Sequence, residues 1–200
     1  MTESPTRTPQ TERTRMMRQR LLEATVDCLV ELGWAGTSTT VVSQRAGVSR
    51  GAQLHHFPSK QDLVVAAVEY IAERRREELG VDVDELPEQG RTRVVLEMLA
   101  GQFTSPVFLA ALELWGAART DPELQAKVAP FERRVGRDTH ARALELLQVD
   151  QSLGHNRQLV QATLDLLRGL GLAATLTDDS ARRASILDAW AETLDRELER

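Results

Sequence analysis

A chain of 200 residues, 42% hydrophobic and 28% charged, carries enough apolar content for a packed core and too much for global disorder. No apolar run approaches the roughly 20 residues that span a bilayer, and Met1–Gln10 lacks the apolar stretch of a secretory leader. The lone cysteine, Cys28, permits no internal disulfide, so the expected compartment is a reducing cytoplasm. The net charge of −5 is unevenly divided. Residues 1–60 carry eight Lys/Arg against five Asp/Glu, a balance of +3, and residues 61–200 carry seventeen against twenty-five, a balance of −8. A basic N-terminal stretch on an acidic body fits contact with phosphates at one end only.

Residues 1–14, rich in Thr, Pro, Arg and Glu, read as a disordered arm. A helical pattern follows, with Met17, Leu21, Leu22, Thr25, Cys28, Leu29 and Leu32 on one apolar face and Gly33 as its stop. Thr39 or Thr40 is expected to cap a second helix over about Val41–Ala46, ended by Gly47. Ser49 caps a third, from Arg50 to about Phe57, which Pro58 ends. Ser59 caps a fourth, with Asp62 in its first turn and Leu63, Val64, Ala67, Val68 and Ile71 facing a core. That helix is expected to continue through the charged run Glu73–Glu78, whose Arg74, Arg75 and Arg76 read as a solvated face. Gly80–Gly90 reads as a linker. Five further helices are predicted over about Arg91–Gln102, Pro106–Arg119, Asp121–Gln148, Asn156–Leu172 and Ser180–Glu199, with a kink or break at Pro130. The predicted fold is all-α: an N-terminal three-helix domain at 15–75, then a larger helical domain over 76–200.

The most informative stretch runs from Thr39 to Lys60. Ala46 is small enough for close helix packing, Gly47 can adopt the left-handed backbone of a sharp turn, Val48 plugs the turn from below, and Ser49 starts the next helix. This is the composition of a helix-turn-helix, placed at about 38–57. Its second helix suits the major groove of double-stranded DNA. Arg50, Gln53, His55 and His56 are hydrogen-bonding candidates for base edges, and Gly51 and Ala52 keep the leading face slim. Thr39, Thr40, Ser49 and Lys60 bracket the helix as candidate phosphate contacts. His55 and His56 are adjacent rather than one turn apart, which argues against a metal pair. No metal or other cofactor is expected. Cys28, on the apolar face of the first helix, reads as a buried, inert thiol.

The run Thr39-Thr40-Val41-Val42-Ser43-Gln44-Arg45-Ala46-Gly47-Val48-Ser49-Arg50-Gly51, followed by His55-His56-Phe57-Pro58-Ser59-Lys60-Gln61-Asp62-Leu63, resembles the TetR family of bacterial regulators. The first helix, ending in Glu31-Leu32-Gly33-Trp34, fits the same pattern, so the resemblance covers about residues 15–75. It implies a transcriptional regulator rather than an enzyme: a homodimer on a near-palindromic operator, whose larger domain holds a small-molecule effector. One position departs from the family. Leu54 stands where a Tyr is common, with Gln53 before it where an apolar residue is usual. By resemblance the Tyr hydroxyl meets a phosphate, which Leu54 cannot do, so Leu54 counts as a DNA-facing residue of altered chemistry.

In the larger domain Met98, Phe103, Phe108, Leu112, Trp115 and Phe131 are core candidates that also offer apolar lining for an effector cavity, with His140 as a polar partner. The last two helices carry apolar stripes. Leu159, Thr163, Leu166 and Leu170 lie on one, and Ile186, Leu187, Trp190 and Leu194 on the other. Two such helices from each subunit would form a four-helix dimer interface, and the resemblance implies a junction there.

Overall fold

The computed structural model describes residues 10–78 and 82–199. Among these it contains nine α-helices, one short 3-10 turn and no strand. The helices are α1 (Gln10–Gly36), α2 (Thr39–Ala46), α3 (Arg50–His56), α4 (Lys60–Glu78), α5 (Arg91–Phe103), α6 (Pro106–Ala118), α7 (Pro122–Leu147), α8 (Gly154–Ala173) and α9 (Ser180–Glu197). The 3-10 turn, Val83–Glu85, lies in the expected linker. No single helix among the described residues is long and apolar enough to cross a membrane.

The chain packs as two compact units. The first holds residues up to Arg76 together with Ala110–Gln125, and the second holds Glu77–Leu109 and Ala126–Arg200. Part of the stretch assigned by sequence to the larger domain therefore groups with the N-terminal helices. The reason is apolar: Ala110, Ala111, Leu114, Ala118 and Leu124 are buried and add to the core that the N-terminal helices form. The expected arm also shrinks, because residues 10–14 are helical; the rest of it, residues 1–9, lies outside the described residues.

In the first unit, α1 buries Leu21, Leu22, Thr25, Cys28 and Leu29, and α4 buries Leu63, Val64, Ala67 and Val68. Leu32, placed by periodicity on the same face of α1, is exposed instead. It lies one residue before the bend at Gly33, whose backbone (φ 66°, ψ −176°) breaks the helical path. Burial pushes the Cys28 thiol up, away from the reactive thiolate. The Ser59 hydroxyl accepts the Asp62 N–H at 3.0 Å and donates to its carboxylate at 2.7 Å, closing the start of α4.

In the second unit, α7 continues through Pro130 as one helix, so of the expected kink or break there is no break. Both Pro130 and Ala126, whose carbonyl loses its helical donor, lie on the exposed face, where solvent can serve that carbonyl. The C-terminal end is tied down by a buried amide. Asn156 donates to the carbonyls of Asp150 (3.0 Å) and Glu199 (2.8 Å) and accepts the Glu199 N–H at 3.1 Å. Arg91, also buried, donates to the carbonyls of Val83 and Leu86, each at 3.0 Å, and so pins the linker to α5.

Helices α5 and α8 meet at Gly171. A Cβ there would sit 2.2 Å from the Phe103 carbonyl oxygen and 2.8 Å from the Phe103 Cβ. The backbones can approach this closely only because the residue has no side chain. Gly171→Ala is expected to push the two helices apart and lower stability by about 3 kcal/mol. A denaturant melt checks this, with Gly136→Ala as control, since a Cβ at Gly136 meets open space.

Candidate nucleic-acid interface

Helix α2 is capped by Ser38, whose hydroxyl accepts the Val41 N–H at 3.2 Å. The expected caps, Thr39 and Thr40, lie one and two residues inside the helix. The Ser43 hydroxyl donates to the Thr39 carbonyl at 2.7 Å, Thr39 is half-buried and Thr40 is exposed. Gly47 ends α2 in the left-handed conformation (φ 63°, ψ 37°), and its N–H and that of Val48 return to the carbonyls of Gln44 and Ser43. Val48 is buried beneath the turn. Ser49 then caps α3, accepting the Ala52 N–H at 3.3 Å. Residues 47–51 also spell the G-x-S-x-G of a nucleophile elbow. That device needs a strand before the serine; here a helix precedes it and the hydroxyl serves as a cap.

Helix α3 divides cleanly by exposure. Gln53 is fully buried and Phe57, its C-terminal cap, is 4% exposed. Arg50, Gly51, Leu54 and His55 are exposed, and Ala52 and His56 are half-buried. This corrects the expectation for Gln53. Its side chain points into the core, donating to the Phe57 carbonyl at 2.7 Å, and its Oε1 is buried with no hydrogen-bond partner among the described residues. Gln53 thus fills the apolar position that precedes Leu54 and cannot reach a base edge. The His55 and His56 rings meet edge to face at 5.4 Å. Among the described residues no three His, Cys, Asp or Glu side chains gather where they could hold a metal ion.

Lys60 also departs from expectation. Its ammonium sits 4.0 Å from the centroid of the Trp34 ring and donates to the Trp34 carbonyl, and burial there pushes its pKa down. The Trp34 N–H in turn donates to the Glu113 carboxylate at 2.7 Å. Lys60 therefore anchors the end of α1 to the start of α4. One cation went unnoticed in the sequence. Arg18 of α1 is exposed and lies over the Phe57 ring at 5.4 Å, at the C-terminal end of α3. Only tertiary contact brings it there, so periodicity gave no signal for it. On α2, Arg45 is paired with Glu31 of α1 and holds that carboxyl below its ordinary value.

The profile of bacterial regulatory proteins of the tetR family matches residues 21–67, from within α1, through α2 and α3, into the first half of α4. The regulator CymR of Pseudomonas putida is 33% identical over 194 residues, covering 94% of each chain. The chain belongs to the TetR family. The repressor AcnR of Corynebacterium diphtheriae is 30% identical over 142 residues, 71% of this chain and 69% of its own. A transcriptional regulator from Pseudomonas aeruginosa PAO1 shares the fold with a TM-score of 0.67 and 26% identity, covering 95% of this chain and 93% of its own. This TetR-family chain is accordingly a helix-turn-helix regulator of transcription and not an enzyme.

The other expected sites map less simply. Phe103, Phe108 and Phe131 are buried, the first two edge to face at 5.4 Å. Met98 and His140 are half-buried, and the His140 Nε2 lies 2.9 Å from the Arg157 carbonyl oxygen. Leu112 and Trp115 are half-buried but group with the first unit. None of these seven lines the cleft of about 360 Å³ that the second unit forms from Thr104, Leu109, Gly171, Ala174 and Asp179 with their neighbours. Of the dimer candidates, Thr163, Leu170, Leu187 and Leu194 are buried within the chain itself, so they are core. Leu159, Leu166, Ile186 and Trp190 stay half-exposed, Trp190 donating to the Thr163 hydroxyl at 2.9 Å.

Because Gln53 is core, Gln53→Ala is expected to cost about 2–3 kcal/mol through a cavity and a lost buried hydrogen bond. Any loss of DNA affinity should then follow the folded fraction. Arg50→Ala should leave the melt unchanged. Circular dichroism melts of the two variants make the comparison.

Proposed function

We propose that this protein is a cytoplasmic, homodimeric repressor that binds a near-palindromic operator and leaves it when a small molecule binds its larger domain. The observation that carries the DNA half of this reading is the split on α3. Four consecutive directions around the helix, occupied by Arg50, Leu54, Gly51 and His55, face outward, and Gln53 and Phe57 lock the opposite side. A short helix held this way presents its face to the major groove, with Arg50 placed for guanine O6 and N7. Thr40 and Ser49, both exposed, remain candidates for phosphate, and Arg18 joins them as an exposed cation at the far end of α3. The relative AcnR is named a repressor, which supports that sign of regulation.

The effector half rests on family membership and on the aromatic content of the second unit, where Phe103, Phe108 and Phe131 supply apolar surface near Met98 and His140 in sequence. Release would require the effector to favour one of two arrangements by its differential affinity. The dimer reading narrows to the half-exposed residues Leu159, Leu166, Ile186 and Trp190 on α8 and α9.

Two measurements test the proposal. Selection from a random duplex pool should enrich one near-palindromic site, with log affinity falling linearly against log salt. Arg50→Ala should weaken that site by about 1–3 kcal/mol with the fold intact. An unchanged affinity would remove α3 from the reading role. For assembly, Leu166→Glu should yield a folded monomer in sedimentation and abolish tight operator binding, because it places a charge in the contact and leaves the subunit core untouched. A Leu166→Glu protein that stays dimeric would sink this interface.

A further inference from the structure

Leu54 is 43% exposed in the middle of the DNA-facing side of α3. At about 100° per residue, and taking buried Gln53 as the origin, the outward residues fall in the order Arg50, Leu54, Gly51, His55 over roughly 60° to 200°. Leu54 and Gly51 thus occupy the centre of the arc. Gly51 has no side chain, and a Cβ built there meets nothing within 4 Å. Leu54 is therefore the most projecting group at the centre of the face, and it is wholly apolar.

Such a group has one good partner in the major groove. The base edges offer hydrogen-bond donors and acceptors, which a leucine cannot use, and a single apolar group, the thymine 5-methyl. Against a donor or acceptor, Leu54 would strip water from it and return nothing. Against a methyl, both surfaces leave water together. Arg50 lies one turn earlier on the adjoining stripe, about 6 Å along the helix axis and hence within about two base steps. We propose that Leu54 reads a thymine in each half-site by packing on its 5-methyl group, one or two steps from the base pair contacted by Arg50. The proposal deepens the DNA-binding reading of α3 and rests on it.

Thymine-to-uracil exchange isolates the methyl, since uracil keeps every hydrogen-bonding group. The full-length protein is titrated with the selected operator and with duplexes in which each thymine position of both half-sites is exchanged in turn. Wild type is expected to lose about fourfold per half-site at one position only, the worth of one buried methyl group. Leu54→Ala, an exposed substitution expected to melt like wild type, should bind the thymine and uracil duplexes equally. Undiminished discrimination by Leu54→Ala would overturn the assignment, as would wild-type indifference to uracil at every position. An equal loss by Leu54→Ala on all duplexes, thymine or uracil, would place the side chain on the sugar-phosphate backbone and also overturn it. Enrichment of no duplex at all is a different failure, that of the DNA-binding reading itself.

Discussion

A seven-residue helix cannot hold itself in water, so α3 depends on what grips it from outside. Its start is set by the Gly47 turn and the Ser49 cap, and its end by Phe57, buried in the core with Arg18 over its ring. Between them Gln53 is drawn fully inside and bonded to the Phe57 carbonyl. These three attachments leave the helix one rotational setting about its own axis. Which side chains α3 exposes follows from that setting alone.

The grip has a cost. Gln53 keeps one buried amide oxygen without a partner among the described residues, a penalty of about 1–3 kcal/mol. The surroundings offset it: Lys60 lies over Trp34, Trp34 is bonded to Glu113, and a stretch of α6 and α7 lends its apolar residues to the small unit. The N-terminal unit is thus larger than its sequence pattern, because α2 and α3, of eight and seven residues, add little buried surface to α1 and α4. In the second unit the same role falls to the Asn156 clamp and the Gly171 crossing, which secure the ends of helices whose faces are otherwise simply apolar.

Much of this was legible in the order of residues. Helix starts and stops follow local chemistry, such as Ser49 before α3, Ser59 before α4 and Gly47 after α2, because caps act over three or four residues. The all-helical class and the helix-turn-helix are local signals of this kind. At Pro130, where a kink or break was expected, the helix is not interrupted: the local effect of proline was legible, but the exposure that makes it tolerable was not.

The residue order by itself determined the helices, the turn between α2 and α3, and membership of a DNA-binding family. It did not determine which polar side chains are available. Gln53 and Lys60 read as DNA contacts because both are polar and beside the turn, yet one is core and the other is held by Trp34. Leu187 and Leu194 read as interface because they lie on an apolar stripe, yet their own chain covers them. Arg18 and Glu113 gave no signal, being joined to their partners across 39 and 79 residues of chain. Only tertiary structure decides these matters. A helix repeats every 3.6 residues whatever lies beside it, whereas burial depends on the neighbours that packing brings up.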